Sequence, residues 1–302
     1  MRSTSTISMP MEMIMDQSSV ISSQLSVDDD GTLADSGFFW RERNGIKVLV
    51  SQALDEAGFA NGFSTRSGGV SAFPQNSLNL SGFDDDTAEN IHENRRRFLT
   101  AFDGEYQLAL ALQVHGTDIR VVRTADDIGD SEVNADAVVS DIEGVLAAAK
   151  TADCVPVLIG DPVTRAYAAI HAGWRGTAQS IVRVAIDRLR EVYGSDPADL
   201  IAAIGPAACG RNYEIGQEVI DMFTANFAEC SRYFSPTREG HALIDLHAAN
   251  RDQLIASGVD GASISVAPFC TMERADLFFS YRREKGDFGR TGRLLSVVGR
   301  RQ

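Results

Sequence analysis

The sequence predicts an α/β fold, and two observations carry that prediction. Short apolar or alternating stretches of strand length interleave with longer segments of helical period. No segment of roughly 20–50 residues repeats, which excludes solenoids and propellers. No Pro- or Ser-rich linker interrupts residues 37–302 either, so a single compact unit is expected there.

In chain order, Ile46–Val50 reads as the first strand. A helix follows the cap residues Asp84–Asp86, with Ile91, Phe98, Leu99 and Phe102 as its apolar stripe. Gln107–Val114 alternates as a half-buried strand does, and Ala137–Val139, Val145–Ala149, Val155–Ile159 and Ala166–Ile170 are apolar runs of strand length. A second helix is expected from about Thr177 to Tyr193, with Ile181, Val184, Ala185, Leu189 and Val192 on one face and Gly194 as its stop. Leu200–Ile204 is a strand. A third helix follows Gly216 with Val219, Met222, Phe223 and Phe227 on one side. The fourth takes Asp245 as cap, Leu246, Ala249 and Leu254 as stripe and Gly258 as terminator, before the strand Ser263–Ala267.

Residues 1–36 differ from the rest: they are rich in Ser, Met, Thr and Asp and contain no aromatic residue. Pro10 and Glu12 break the only stretch that could serve as a secretory core, and the lone Arg2 does not suit a transit peptide. We expect a flexible tail at 1–36 ahead of one compact domain at 37–302, and a cytoplasmic, reducing location. The four cysteines, Cys154, Cys209, Cys230 and Cys270, form no CxxC pair, which excludes a zinc ribbon or a thioredoxin motif. Lys and Arg number 28 against 42 Asp and Glu, for a net charge of −14. A duplex-binding surface needs a basic face, so nucleic acid is not expected as a partner. No apolar run reaches the ~18–20 residues of a membrane helix, and no membrane partner is expected. A small anionic substrate stays compatible with the charge, because a local arginine pocket can hold one.

The most informative chemistry lies between Lys150 and Gly176. Val145–Ala149 runs into Lys150-Thr151-Ala152-Asp153-Cys154, and Ala166–Ile170 ends at His171-Ala172-Gly173-Trp174-Arg175-Gly176. If the two intervening strands pair around Gly160–Asp161, residues whose numbers sum to 325 face each other, Cys154 and His171 among them. His115 follows an alternating stretch and precedes Gly116, a turn position suited to a ligand. Two imidazoles and a thiolate with an open fourth position make a catalytic zinc set, and such ligands favour zinc, or copper, over magnesium or calcium. The residues alone leave two other readings open: a metal-free Cys154–His171 nucleophile pair, and plain packing.

Several blocks together resemble the YfiH/laccase-domain family, long labelled polyphenol oxidase and also peptidoglycan editing factor. They are Ser77-Leu78-Asn79-Leu80 with Asn94-Arg95-Arg96, Gln113-Val114-His115-Gly116, Ala135-Asp136-Ala137, Thr151-Ala152-Asp153-Cys154, His171-Ala172-Gly173-Trp174-Arg175-Gly176, Ile204-Gly205-Pro206, Phe279-Ser280-Tyr281-Arg282-Arg283 and Gly289-Arg290-Thr291-Gly292. They cover about residues 37 to 299 in order. The resemblance implies a single-domain α/β sandwich of mixed β-sheets with flanking helices. It further implies a zinc site of His115, Cys154 and His171, and purine nucleoside chemistry: phosphorolysis of adenosine, inosine and methylthioadenosine, with adenosine deamination beside it. Bacterial members are also linked to the removal of wrongly made peptidoglycan precursors. Two segments depart from the family pattern, Asn79-Leu80-Ser81-Gly82-Phe83 and Gly205-Pro206-Ala207-Ala208-Cys209, and both bear on substrate contacts.

With purine nucleoside and phosphate as small-molecule substrates, Arg175 between Gly173 and Gly176 is the expected phosphate ligand, ahead of a helix N-terminus. Arg66 in Ser64-Thr65-Arg66-Ser67-Gly68-Gly69 and Asn79 are further substrate-binding residues. Asp153, beside Cys154, is a catalytic proton shuttle or a structural hydrogen-bonding group, with Cys154 and His171 as the other catalytic residues. The segment Ser280–Arg283 with Gly289–Gly292 closes over the site or forms an edge strand and surface loop. Cys270 is expected to be buried near the site without being a ligand. Multicopper oxidases need many more His ligands than the five present here, which include no His-x-His pair, so laccase chemistry is the weaker reading. A Cys154/His171 hydrolase acting on an amide or a peptidoglycan precursor is one rival function, and a non-catalytic metal-binding protein is another.

Overall fold

A computed structural model describes residues 33–73, 77–81, 86–129 and 132–302. The chain opens with β1 (Phe38–Arg43), β2 (Ile46–Ser51), α1 (Gln52–Glu56), β3 (Phe59–Ser64) and β4 (Ser67–Ser71). Next come α2 (Ala88–Leu99), β5 (Gln107–Ala109), β6 (Ile119–Val122), β7 (Ala137–Ser140), β8 (Val145–Thr151), β9 (Val155–Gly160) and β10 (Tyr167–Ala172). Helices α3 (Trp174–Ala178) and α4 (Ile181–Tyr193) precede β11 (Ile201–Ile204), β12 (Glu214–Gly216), α5 (Gln217–Asn226), β13 (Phe234–Arg238) and β14 (His241–Ile244). The last elements are α6 (Leu246–Ala256), β15 (Ile264–Val266), α7 (Tyr281–Phe288) and β16 (Leu294–Arg300).

Two six-stranded sheets carry the fold, ordered β1-β2-β3-β16-β8-β5 and β15-β11-β9-β10-β7-β6, with a small β12-β14-β13 sheet beside them. Both large sheets are mixed: β5·β8, β6·β7 and β11·β15 are parallel and the other pairs antiparallel. Strand alternation sorts side chains into three layers. Phe63, Ala147, Leu158, Tyr167, Ala169, Phe278 and Val298 fill the seam between the sheets. Val157, Ile159, Ala168 and Ile170 face the other way and pack under Ile181, Ala185 and Leu189 of α4 and Leu254 of α6. Leu146, Ala148, Leu295 and Val297 pack under Phe98 of α2. The result is a helix–sheet–sheet–helix sandwich, the fold class expected. Burial on both faces is why β8 and β9 read as continuous apolar runs.

The structure corrects several element expectations. Gln107–Val114 is a strand only to Ala109. Beyond it the chain stays extended and bonds to a loop, with Leu112 N donating to the Val133 carbonyl and Ala135 N to the Leu112 carbonyl. The second helix is two, α3 and α4, broken where Ser180 takes φ 63°. Thr87 caps α2, its hydroxyl accepting from Asn90 N, while Asp84 and Asp85 lie outside the described residues. Asp245 caps α6 through Ala248 N, as read. The Ser280–Arg283 segment opens a helix rather than an edge strand. The unread β16 is central, and an added Cβ at Gly299 would stand 2.0 Å from the Val145 carbonyl oxygen of its neighbour. Leu33 is buried in the seam, so the core begins ahead of residue 37, and residues 1–32 of the expected tail lie outside the described ones. Among the described residues, no helix is long and apolar enough to cross a membrane.

The β9–β10 hairpin pairs Tyr167 with Gly160 and His171 with Pro156, a register summing to 327 rather than 325. Its loop is longer than a tight turn because Asp161 organises it. The carboxylate accepts from Val163 N, Thr164 N and the Thr164 hydroxyl, and Arg165 turns the chain at φ 66°. A shift of two leaves the side-chain alternation unchanged, so His171 and the residue opposite Cys154, now Gly173, still share a face. Replacing Asp161 with Ala removes three hydrogen bonds at a buried turn and should lower unfolding stability by about 1–3 kcal/mol. A urea midpoint unchanged from the parent's would contradict this account.

Candidate metal centre

Two of the three predicted ligands sit where the chain passes between sheets. Cys154 lies in the short link from β8 of the first sheet to β9 of the second, and His115 lies between β5 of the first and β6 of the second. His171 points into the seam near the end of β10. Sulfur and ring nitrogens of His115, Cys154 and His171 all lie within 4.8 Å of one another. Cys154 Sγ is 3.9 Å from His115 Nε2, and the two imidazoles meet edge to face with centroids 4.8 Å apart. Gly173 borders the cluster closely. An added Cβ would come 2.9 Å from the His115 ring and 3.2 Å from the Cys154 sulfur, so no side chain fits there without displacing one of them.

Asp136, just before β7, is the organising residue that sequence reasoning left out of the site. Its sealed carboxylate accepts from His171 Nδ1 at 2.8 Å and from three successive backbone N–H groups, Val114, His115 and Gly116, at 3.2, 2.9 and 2.7 Å. His115 takes φ 61°, a left-handed conformation rare outside glycine, and this turn aims the three donors inward. Burial alone would raise the Asp136 carboxyl, but the His171 bond and the N–H donors hold it below the ordinary range. Binding of Nδ1 by Asp136 leaves His171 Nε2 to the cluster. The only sequence signal was that Asp136 is a lone acid in the block Ala135-Asp136-Ala137.

Electrostatics suit a cation. Burial disfavours the Cys154 thiolate, yet His171 and His115 outweigh it and bring the thiol down to about 6. Burial likewise works against a charged His171, but Cys154 and Asp136 raise it to about 9. The pair therefore rests as thiolate and imidazolium at neutral pH, and a divalent ion would replace the imidazolium proton. The donor set of one thiolate and two imidazoles, one imidazole braced by a carboxylate, fits a zinc-type ion.

A cavity of about 510 Å³ opens on the cluster and is lined also by Leu112, Gln113, Lys150, Tyr281 and Arg293. A smaller one of about 250 Å³ shares His115, Cys154 and Tyr281 with it and is lined by Trp174, Arg175, Tyr213 and Arg282. Arg175 lines the smaller cavity, 4.4 Å over the Trp174 ring and 3.5 Å from Glu218. It lies within the five-residue α3, as its second residue, rather than ahead of the long helix expected. Arg66 lines neither cavity: its guanidinium bonds Glu284 at 2.7 Å and the carbonyls of Ala275 and Phe278, which ties α7 down. Asn79 is buried outside both. Its side-chain oxygen accepts from Ser81 N and Arg293 N, and so positions two residues that do line the larger cavity. Asp153, at φ 87°, accepts from the Thr271 hydroxyl and Arg282 N, which places its carboxylate in a structural bridge to α7. Burial raises its carboxyl. Of the departing segments, Ser81 lines the larger cavity, Gly82 and Phe83 lie outside the described residues, and Gly205–Cys209 lines neither cavity. Cys230 is buried; His92 sits in α2, His241 opens β14, and His247 bonds the Gly205 carbonyl.

A family model described as multi-copper polyphenol oxidoreductase laccase matches residues 60–301. A purine nucleoside phosphorylase of Deinococcus radiodurans is 40% identical over 238 residues, 78% of this chain and 87% of that one. The purine nucleoside phosphorylase YfiH of Escherichia coli is 34% identical over 252 residues, covering 83% and 98%. Among solved structures, a Bacillus licheniformis hypothetical protein YfiH superposes with a TM-score of 0.80 at 30% identity, over 87% of this chain and 99% of its own. YlmD from Geobacillus stearothermophilus gives 0.79 at 35% identity, over 88% and 99%.

Two measurements test the centre. In metal-free protein, iodoacetamide labelling of Cys154 should accelerate as pH rises through about 6 and level off above it, and His171→Ala should move that midpoint upward. A midpoint in the ordinary thiol range would refute the thiolate–imidazolium pair. Asp136→Asn should weaken divalent metal binding by roughly 10- to 100-fold with the fold retained; an unchanged affinity by calorimetry would remove Asp136 from its organising role.

Proposed function

The chain belongs to this laccase-like family, with YfiH and YlmD among its relatives, and from that premise we propose that it is a zinc-dependent purine nucleoside phosphorylase. Its substrates would be adenosine, inosine and methylthioadenosine, with adenosine deamination as a second activity. The observation that carries the reading is the His115–Cys154–His171 cluster standing between two cavities, the larger within the usual volume range of small-molecule sites, while both are lined by cations. Zinc in that cluster would supply a Lewis acid with an open coordination position.

The chain's own residues divide the remaining work. Leu112, Ala152 and Tyr281 offer apolar and aromatic surface for the purine in the larger cavity, with Gln113 among its polar groups. Gln113 is held in place by two bonds to the Lys150 backbone, donating to its carbonyl at 2.7 Å and accepting from its N–H at 2.8 Å. Arg175 and Arg282 in the smaller cavity hold phosphate, each guanidinium set over a ring, Trp174 and Tyr213. In phosphorolysis a phosphate oxygen forms the bond to ribose C1′ as the C1′–N9 bond breaks. The bonding pair leaves with the purine, which takes up a proton. Bringing the two substrates together from adjoining cavities supplies the orientation such a displacement needs. Asp153 serves by fixing Arg282 rather than by moving a proton.

The family description also names polyphenol oxidation. The remaining three histidines stand apart from the cluster and from one another's elements, so the multinuclear copper centres of that chemistry have no ligands here. Incubation of the purified, zinc-loaded protein with adenosine tests the reading. With phosphate, adenine and ribose 1-phosphate should appear, and without phosphate, inosine and ammonia. His115→Ala and Cys154→Ala should abolish both, and Arg175→Ala should raise the phosphate KM about tenfold, on the order of one lost charged hydrogen bond, leaving the adenosine KM unchanged. No turnover of any nucleoside would overturn the proposal. Turnover of an amide that survives metal removal and His115→Ala would point to Cys154 as a nucleophile instead.

A further inference from the structure

A second set of soft ligand atoms converges away from the cluster just described. Cys209 lies on the loop after β11 and Cys270 on the loop after β15. These neighbouring strands run parallel, and their pairing continues beyond them: Ala207 bridges Cys270, and Thr271 N donates to the Ala207 carbonyl at 3.0 Å. Backbone pairing therefore brings the two cysteines together, and Cys209 N donates to Cys270 Sγ at 3.3 Å. One turn further on, Glu273 adds its carboxylate, so that both sulfurs and a carboxylate oxygen lie within 4.8 Å of one another.

One atom sits among all three. Asn212 Nδ2 is 3.3 Å from Cys209 Sγ, 3.6 Å from Cys270 Sγ and 2.7 Å from Glu273 Oε1. Three potential ligand atoms thus converge on one amide nitrogen, which stands where an ion held by all three would stand. Arg211 Nη2 donates to both Glu273 oxygens, to Oε2 at 2.9 Å and to Oε1 at 3.2 Å, which keeps the carboxylate ionised. Cys270 is buried, while Cys209 and Glu273 reach solvent, which gives an ion a way in.

We propose that Cys209, Cys270 and Glu273 form a second metal site, selective for a thiophilic cation of the zinc class, which binds where the Asn212 amide now sits. Two thiolates and one carboxylate make three ligands, and water completes a tetrahedral set. Binding displaces two thiol protons and moves the Asn212 amide aside; no electron transfer is involved. The site shares no residue with the His115–Cys154–His171 cluster, so it stands whether or not the phosphorylase reading does. It is nevertheless coupled to it in space. Ala208 N donates to the Asp153 carbonyl and Thr271 donates to the Asp153 carboxylate, so an ion here would brace the two loops that hold the neighbour of Cys154.

Cadmium is the probe, because thiolate–cadmium charge transfer is visible in the ultraviolet. The full chain, reduced and stripped by chelator, should bind two cadmium ions. A His115→Ala/Cys154→Ala variant should keep one ion together with part of the thiolate–cadmium band. Adding Cys209→Ser and Cys270→Ser should remove that ion and the rest of the band, with the far-ultraviolet circular dichroism unchanged. Glu273→Gln, a milder change, should weaken this ion about tenfold and shift its cadmium-113 resonance. Should the serine variants fail to fold, the Glu273→Gln resonance and affinity decide by themselves. Equal binding with and without the two cysteines, or no ion in the His115→Ala/Cys154→Ala variant, overturns the proposal, as does a Cys209–Cys270 disulfide that re-forms in place of cadmium binding.

Discussion

The Asp136 carboxylate carries four donors on its two oxygens: His171 Nδ1 and His115 N on one, Val114 N and Gly116 N on the other. Burying an ionised carboxylate costs several kcal/mol unless partners replace the lost water. Here the partners are what the site must position. One interaction fixes the His171 ring and its tautomer, while the other three hold His115 in its left-handed turn. The charge therefore joins the second sheet's β10 to the link leaving the first sheet, and the two imidazoles keep their mutual geometry only while Asp136 stays ionised.

That arrangement explains why the three cluster residues follow no local motif. A metal site on one helix or one hairpin shows a fixed spacing in sequence. This one draws on two separate passages between sheets and one strand end, brought together because the sheets face each other across a common seam. Small residues, Ala147, Ala149, Ala169 and Ala203, let the sheets approach, and Phe63, Phe278 and Phe279 close the interior. The seam is thus a rigid mount, and the cluster occupies its open end, where side chains give way to the cavities.

Legibility in the sequence followed burial. Strands β7 to β10 were readable because both of their faces are covered, which leaves unbroken apolar runs, and α6 was readable because Asp245 and Gly258 mark its ends. Strand β16 is equally apolar, yet Ser296 and Gly299 sit within it among the chain's last residues and blur the pattern. Helix α7 is nearly all polar, Tyr281-Arg282-Arg283-Glu284-Lys285-Gly286-Asp287-Phe288, and its tie to the fold comes through Arg66 and Asp153, partners more than a hundred positions away. Arg66 looked like a loop arginine awaiting an anion for the same reason: its partner, Glu284, cannot be seen locally. The three candidate ligands were traceable because the strand ends pointed to them. Asp136 was not, since a lone acid before a buried strand has no period, and the block Ala135-Asp136-Ala137 says nothing of the donors its carboxylate gathers.

The overall charge and the local charge point in opposite directions, and the difference bears on function. A chain at −14 repels phosphate at long range. Beyond about 8–10 Å at physiological salt that repulsion is largely screened, so affinity for an anion is decided by the groups lining the pocket. Lys150 and Arg293 line one cavity, Arg175 and Arg282 the other, and Asp153, the one acid on the smaller cavity's lining, has its oxygens taken by Thr271 and Arg282 N. The proposed Lewis-acid chemistry and phosphate binding would both draw on this placement of positive groups around a thiolate. Multicopper oxygen reduction would instead require several imidazole clusters, and the fold spends its remaining histidines elsewhere, His247 on the Gly205 carbonyl and His92 on the α2 helix. The same sandwich can carry a laccase-like family description and have relatives named purine nucleoside phosphorylase because the description follows the scaffold, whereas the chemistry follows the few side chains at the mouth of its seam.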